Sequence, residues 1–345
     1  RQTSRKGVIS LHEDGFSRRR RSGAALCLAM LLAVGGLNLP ARAAETPKEL
    51  VPVGHTVGIK MFARGVLVVD LAEGKSPAKD CGLAKGDVIL QCNGTAVTST
   101  EQFQQLLQGE EEVELAVRRG GSAKTLTAEP EQNEDGAWVI GAWIRDSMAG
   151  IGTVTYYDPA TGAFGALGHG ITDGDTMALM PFGSGSILPS TVKAVKKGSS
   201  GSAGELRGNF DLSGDLGPLC ANTDCGIFGT LPADCTLAAG EALPVGDAVE
   251  GPATIRANVS GDEVREYAVE ILKRLPNASD GREMVISVTD PDLIAATGGI
   301  VQGMSGSPIL QNGKLVGAVT HVLLSDATKG YGISMETMLN AGENV

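Results

Sequence analysis

The residues best suited to chemistry are a serine and a histidine that each lie close to glycines. Ser305 stands in the hexapeptide Gly-Met-Ser-Gly-Ser-Pro of residues 303–308, just before an apolar run. Glycines permit the positive-φ conformations that turn the N–H groups of Gly303 and Ser305 towards one point, where they can hold an oxyanion. A serine nucleophile needs a base, and His169 follows an apolar run and lies between two glycines. The pair therefore predicts nucleophilic catalysis, with Ser305 as nucleophile and His169 as base.

Both assignments have a competitor nearby. Ser307 is the alternative nucleophile, but Pro308 restricts it to an extended conformation, which suits the start of a strand better. His321 is the alternative base, 16 residues after Ser305 on a strand expected to line a substrate cleft. We interpret His321 as a residue that packs or lines a specificity pocket.

The acid that would orient His169 is harder to place. Asp290 ends a strand, and Pro291 fixes the turn that follows, so its carboxylate could point back into the cleft. The alternative is an Asp-Pro turn that caps the segment 292–296. Other acids also lie between His169 and Ser305, namely Asp173, Asp211, Asp215 and Asp247. A Ser-His-Asp site requires no cofactor and no metal.

Composition favours a mainly β protein. The chain has 345 residues and 48 glycines, and short apolar runs with β-branched residues are separated by Gly, Pro, Asp and Asn. The formal net charge is −11, and residues 1–43 hold eight basic and two acidic residues, so the remainder carries 21 basic and 38 acidic residues and a charge of −17. An acidic chain without a basic stripe is not expected to bind nucleic acid.

Residues 1–43 have the layout of a signal peptide or an N-terminal membrane anchor. Four arginines at 18–21 precede the apolar stretch 24–39, and Ala-Arg-Ala at 41–43 matches a cleavage site. The apolar stretch is short for a transmembrane helix. We therefore expect export, with cleavage by signal peptidase or by the protein itself.

The cysteines do not form a metal-binding pattern. Cys220 and Cys225 lack a second pair at zinc-site spacing. A bridge from Cys220 to Cys225 or to Cys235 is possible by spacing, and free, partly buried thiols are the simpler interpretation.

Residues 48–130 resemble a PDZ domain over nearly their whole length. The run Gly-Leu-Ala-Lys-Gly-Asp at 82–87, an Asn-Gly hairpin turn at 93–94, a helix over 100–108 and a closing strand over 113–118 follow in the order of that family. The resemblance implies a loop whose backbone N–H groups bind a peptide carboxylate, and a peptide that adds as a strand beside it. The loop residues would be Val57, Gly58, Ile59 and Lys60.

A polar, acidic segment at 131–136 is interpreted as a linker. Residues 137–345 then contain many short apolar runs, the first two strands being predicted at 137–144 and 150–157. The Gly-x-Ser-Gly-x-Pro turn resembles that of trypsin-like peptidases, and His before Ser is their chain order. We predict a PDZ-like domain followed by a trypsin-like double β-barrel serine peptidase domain.

Longer runs carry a more specific resemblance, to the stage IV sporulation protein B (SpoIVB) peptidase family. They are residues 143–153, 157–159, 164–171, 299–309 and 317–322. The family's histidine and serine fall on His169 and Ser305, and its third residue on Asp290.

The resemblance implies an exported serine endopeptidase of spore-forming bacteria. Such a protein crosses the forespore membrane into the intermembrane space, is at first membrane-attached, and processes itself. It then cuts the inhibitory regulator of an intramembrane metalloprotease, which triggers pro-sigma-K activation. The enzyme's own N-terminal segment is a candidate ligand of the PDZ-like domain. Two alternatives are a non-catalytic PDZ signalling adaptor and a general envelope quality-control PDZ protease.

Overall fold

The computed structural model describes residues 48–211, 213–276, 278 and 281–344. The signal peptide or anchor predicted at 1–43 lies outside these residues. The strands of the first half are β1 (Glu49–Pro52), β2 (Thr56–Leu71), β3 (Val88–Cys92), β4 (Thr95–Ala96), β5 (Val113–Arg119), β6 (Ser122–Ala128), β7 (Glu131–Gln132), β8 (Trp138–Val139), β9 (Ala142–Tyr157) and β10 (Ala163–Ala166).

The second half continues the β architecture. Its strands are β11 (Phe182–Leu188), β12 (Ser190–Lys196), β13 (Glu205–Phe210), β14 (Gly217–Thr223), β15 (Gly226–Thr230), β16 (Leu243–Pro244), β17 (Gly251–Ser260), β18 (Glu263–Arg274), β19 (Met284–Val288), β20 (Pro308–Gln311), β21 (Lys314–Val322) and β22 (Lys329–Ser334). The helices are α1 (Pro77–Asp80), α2 (Thr100–Leu106), α3 (Pro291–Thr297) and α4 (Met335–Glu343), with a 3₁₀ turn at Thr236–Ala238.

The PDZ-like region is built from β3 to β6 with α1 and α2. Ser99 caps α2 by accepting a hydrogen bond from the N–H of Gln102, so the predicted helix is confirmed, two residues shorter. Asn93 and Gly94 both have positive φ and join β3 to β4, as a two-residue hairpin requires. The side chains of Ile89, Phe103 and Leu115 are buried in this core.

Two 16-residue strands run through both the PDZ-like region and the region that follows. β2 and β9 pair antiparallel from Thr56 opposite Thr153 to Leu71 opposite Ala142. Two separate strands were predicted at 137–144 and 150–157, whereas the structure has the short β8 followed by one continuous strand from Ala142 to Tyr157. A bulge in β2 between Phe62 and Leu67 takes up the change of register without interrupting β9.

The first barrel closes through these same strands. β2 pairs with β11, and the ladder then continues through β14, β15 and β10 back to β9. β1 pairs with β9 and with β16 at the rim. Phe164, Ile187 and Ile227 fill this barrel, where they are fully buried.

The second barrel is closed in the order β17-β18-β19-β22-β21-β20. Its core contains Ile255, Ile286 and Val319, and α4 packs its methionines over the junction with the first barrel. The expectation of a mainly β chain with a PDZ domain and a double β-barrel is therefore confirmed.

The predicted carboxylate-binding loop at Val57, Gly58, Ile59 and Lys60 is wrong. These residues lie near the start of β2, where β9 pairs with one edge and, from Gly58 on, β11 pairs with the other. Because both strand edges are paired, these backbone groups cannot cradle a carboxylate. The residues belong to the wall of the first barrel. The segment interpreted as a linker is also structured in part, since β7 pairs with β8.

Candidate active site

Ser305 lies in a tight turn between the two barrels. Gly303 and Gly306 both have φ of +98°, a conformation that favours glycine. A side chain at Gly306 would collide with the carbonyl oxygen of Thr153. The turn is thus held against β9, because Thr153 donates from its N–H to Ser305 O (3.0 Å) and from its hydroxyl to Gly303 O (2.7 Å).

The turn leaves two of its backbone donors without an acceptor. Among the described residues, neither the N–H of Gly303 nor that of Ser305 donates a hydrogen bond. The hydroxyl of Ser305 donates to the carbonyl oxygen of Thr320 on β21 at 2.7 Å. The serine is therefore half-buried with its Oγ held on the side of β21.

Ser307, the alternative nucleophile, is fully buried, and its hydroxyl has no hydrogen-bond partner among the described residues. Its backbone pairs with Met304 and Val319, which places it at the entry to β20. The structure gives a substrate no access to this side chain.

His169 follows a sharp turn at the end of β10. Leu167 and Gly168 both have φ of +70°, and Gly168 packs so closely against Thr320 and Ile333 that a side chain there would clash. Since a carbonyl can only accept, the 2.9 Å contact from Nδ1 of His169 to Gly170 O requires a proton on Nδ1. The lone pair is then on Nε2.

The electrostatic environment keeps His169 neutral. Burial lowers the pKa of its imidazole below the usual 6.5, and the hydrogen bond to Gly170 opposes that shift more weakly. A neutral imidazole with a free Nε2 is the form that can accept a proton from a serine.

His321 lies beside His169. The ring centroids are 4.9 Å apart and the ring planes are inclined by 37°. His321 is on β21, directly after Thr320, and this strand lines the cavity as the sequence predicted. The remaining described histidine, His55, lies elsewhere, with its Nδ1 on Thr56 O.

One cavity of about 1010 Å³ contains both histidines and the serine. Its lining is mostly apolar, with few polar groups. Its walls include Met148, Ala149, Gly150, Ile151, His169, Met177, Ile300, Val301, Gly303, Ser305, Thr320, His321, Val322, Leu324 and Tyr331.

Asp290 is not part of this arrangement. Its Oδ1 accepts from the N–H groups of Asp292 and Leu293, and its Oδ2 from the N–H of Ala268. It is the N-cap of α3, and it does not line the cavity. The structure therefore does not bring Asp290 to His169; it supports the alternative, a helix cap, that the Asp-Pro turn also suggested.

A buried carboxylate that the sequence analysis left among the other acids has a defined role. Asp173 is fully buried, pairs with Arg145 of β9, and accepts from the N–H and hydroxyl of Thr176. It anchors the loop after His169 to β9. In the sequence, the only indication of this role was the position of Asp173, four residues after His169.

Several other expectations concern ligands and membranes. All five described cysteines are free thiols. In the part of the chain that the structure describes, there is no cluster of three metal-ligating side chains. The described helices are also too short or too polar to cross a bilayer.

The model of the SpoIVB peptidase S55 family matches residues 136–339, more than half of the chain. This chain belongs to the SpoIVB peptidase S55 family. A PDZ domain model matches residues 68–119, so that this S55 peptidase family member also contains a PDZ domain.

Individual relatives share only parts of the chain. A curated protein of Clostridium perfringens, "Putative zinc metalloprotease", is 35% identical over 69 residues, which are 19% of this chain and 20% of that protein. The chain thus spans about a fifth of the length of this relative. Among solved structures, the PDZ domain of an SdrC-like protein from Listeria monocytogenes is 22% identical and covers 24% of this chain and 87% of that one (TM-score 0.22). The Rv3671c protease from M. tuberculosis in its active form is 14% identical and covers 57% and 73% (TM-score 0.30).

Proposed function

We propose that this S55 family member is a serine endopeptidase in which Ser305 is the nucleophile and His169 the general base. The observation that supports the proposal is the shared cavity: it is lined by Ser305 and by a neutral His169, and the N–H groups of Gly303 and Ser305 have no acceptor among the described residues. An open cavity beside these groups leaves room for a peptide carbonyl.

The reaction follows from these groups. Ser305 Oγ leaves Thr320 O and gives its proton to Nε2 of His169 as it attacks the scissile carbonyl. The oxyanion that forms is bound by the N–H groups of Gly303 and Ser305. The imidazolium then gives the proton to the leaving amine, and water repeats the sequence to release the acyl group.

The Gly170 carbonyl takes the orienting position that Asp290 was expected to fill. It holds the Nδ1 proton and so fixes the tautomer of His169. A neutral acceptor stabilises the imidazolium less than a carboxylate would. The catalytic groups are therefore a Ser-His pair in which a backbone carbonyl orients the histidine.

The finer biological role rests on family membership. We infer that the protein is exported across the forespore membrane, attached to the membrane at first, and released into the intermembrane space by processing itself. Its substrate would be the inhibitory regulator of an intramembrane metalloprotease complex, and cleavage would trigger pro-sigma-K activation. The protein's own N-terminal segment would be a ligand of the PDZ-like region. Complementation of a null strain with wild type or Ser305→Ala, read as pro-sigma-K processing, tests this role.

A fluorophosphonate probe tests the chemistry directly. The wild-type chain should be labelled at Ser305, whereas Ser305→Ala should not, and Ser307→Ala should still react if it folds. Failure of the folded wild type to react would favour the non-catalytic adaptor. Labelling lost in Ser307→Ala but kept in Ser305→Ala would reverse the nucleophile assignment.

A further inference from the structure

The strand β9 has one edge that is unpaired over most of its length. Between Ala142 and Ile151 it pairs with β2, and no other described strand pairs with it there. Only from Thr153 onward is the second edge occupied, first by Ser305 O and Leu167 N and then by β10. An open edge of this length is normally protected or used for pairing with another chain.

The direction of the backbone groups on this edge follows from Thr153. Its N–H points to Ser305 O and its carbonyl to Leu167 N, away from β2. In an antiparallel strand, alternate residues present both backbone groups to the same edge. Ile151, Ala149 and Ser147 therefore offer their N–H and C=O groups on the side of the cavity.

The edge joins the cavity to the PDZ-like region. Residues 148–151 line the cavity that contains Ser305. Further along, Asp146 accepts hydrogen bonds from the N–H and hydroxyl of Thr100 at the start of α2. One strand edge thus leads from the cavity past α2. From Ile151 to Trp143 it is about 26 Å long at ~3.3 Å per residue.

Trp143 stands at the far end of this edge. It is 68% exposed, although tryptophan is usually buried and is the residue type most enriched in binding hot spots. Met177 and Leu324, also exposed, flank the cavity end. Apolar side chains therefore stand at both ends of an edge of unpaired backbone groups.

We propose that the β9 edge binds the part of the substrate C-terminal to the scissile bond, as an added antiparallel strand that reaches Trp143. The partner is an extended, unfolded polypeptide, because only such a chain can pair its backbone with an open edge. This inference rests on the proposed peptidase function and deepens it.

The orientation follows from the position of His169. His169 gives its proton to the leaving amine, so the C-terminal product starts on its side of the cavity. That side is β9, because Leu167, two residues before His169, is bonded to Thr153 O. The substrate would then need about eight residues after the scissile bond to reach Trp143.

The test compares matched peptides. A cleavage site is first mapped in reduced, carboxymethylated ribonuclease A, an unfolded protein without tryptophan. Three peptides then share the residues around that site: one short, one extended by about eight residues after the bond, and one extended equally before it. Relative to the short peptide, we expect about tenfold higher kcat/KM for the peptide extended after the bond, because its KM is lower. The peptide extended before the bond should show a much smaller gain.

Two modifications separate strand pairing from general length effects. N-methylation removes a backbone N–H donor. Because only alternate residues donate to the β9 edge, methylation of one alternate set in the C-terminal extension should remove the gain in kcat/KM, and methylation of the other set should not. Trp143→Ala should remove most of the gain while leaving the short peptide unchanged. Leu272→Ala, which alters an exposed apolar residue on β18, is the matched control and should keep the gain.

A binding measurement keeps the inference independent of catalysis. The chain has two tryptophans, so the double variant Trp138→Phe/Ser305→Ala keeps Trp143 as its single tryptophan. Its fluorescence should change on titration with the C-terminally extended peptide, or with the unfolded ribonuclease if no site is cleaved, and not with the short peptide. Equal kcat/KM for all peptides, a gain from the N-terminal extension alone, or an unresponsive Trp143 would overturn the proposal. Loss of labelling at Ser305 would instead overturn the proposed function.

Discussion

The imidazole rings of His169 and His321 lie with their centroids 4.9 Å apart, on two different barrels, at the wall of one cavity. His169 comes from the end of β10 in the first barrel and His321 from β21 in the second. Burial of His169 in this wall lowers the pKa of its imidazole, so the ring beside His321 is neutral before the reaction.

Replacement of the two histidines should have unequal effects. His169→Ala removes the base and should lower kcat by about as much as Ser305→Ala, on the order of 10⁶-fold, and the double variant should be no worse than either single one. His321→Ala removes only a neighbouring ring and should cost about tenfold or less. Measurement of kcat/KM on one peptide decides this; an inactive His321→Ala beside an active His169→Ala would reverse the assignment.

Activity should persist to lower pH than an ordinary histidine allows. The pKa of His169 is lowered from 6.5 mainly by burial, so the neutral base survives below that pH. We expect the acid limb of kcat/KM to have its midpoint below 6.5. Unfolding restores the ordinary pKa, so the stability contributed by this group is present above pH 6.5 and is lost as the pH falls below it.

The pH profile of His321→Phe is the informative control. Phenylalanine keeps an apolar ring packed beside His169, so the burial that lowers the pKa of His169 is preserved or increased, and the acid limb should keep its place or move further down. A midpoint above 6.5 in the wild type would contradict the burial argument.

Thr153 and Thr155 form a matched pair on β9. The hydroxyl of Thr153 donates to Gly303 O in the nucleophile turn, whereas that of Thr155 is buried with no partner among the described residues. Thr153→Val leaves a buried carbonyl unsatisfied and should cost about 1–3 kcal/mol of unfolding free energy and lower kcat. Thr155→Val should be neutral or stabilising. Urea unfolding of both variants, with labelling by a fluorophosphonate, measures the contrast; equal losses would mean that the bond to Gly303 contributes nothing.

Asp290 provides a test between a helix cap and a catalytic acid. Asp290→Ala should destabilise the protein by about 1 kcal/mol, because α3 loses the acceptor of its first N–H groups. Asp290→Asn keeps an Oδ1 acceptor and should retain most of the stability and turnover. A catalytic acid would behave differently, since its replacement by Asn costs about 10⁴ in kcat. Parallel thermal unfolding and kinetics of the two variants separate these cases.

Local patterns in the sequence predicted much of the fold. The Asn-Gly turn, the helix capped by Ser99 and the closing strand at 113–119 all depend on neighbouring residues, and the structure confirms them. The glycine-rich turn around Ser305 also follows from local chemistry, because only glycine adopts its positive φ angles readily. The runs around His169 and Ser305 carried the resemblance to the SpoIVB peptidase family, which the family model confirms.

Partners that are distant in sequence could not be predicted in this way. The resemblance to a PDZ domain implied a loop at residues 57–60, but pairing with β9 and β11 makes this segment a barrel strand. Asp290 has the spacing of a catalytic acid, but the first turn of α3 and the N–H of Ala268 take up its carboxylate. Strand pairing depends on which segments the closed barrel brings together, and no local pattern contains that information.

Two residues suited to chemistry are recognisable from the amino-acid sequence: a serine in a turn that glycines permit, and a histidine with glycines on both sides. Their surroundings depend on how the two barrels pack. It placed Gly170 O on Nδ1 of His169, Thr320 O on the hydroxyl of Ser305 and His321 against the base. The physical reason is that an oxyanion hole is a local backbone conformation, whereas the orientation of a base is set by groups that only the packing of two barrels brings within a few ångströms.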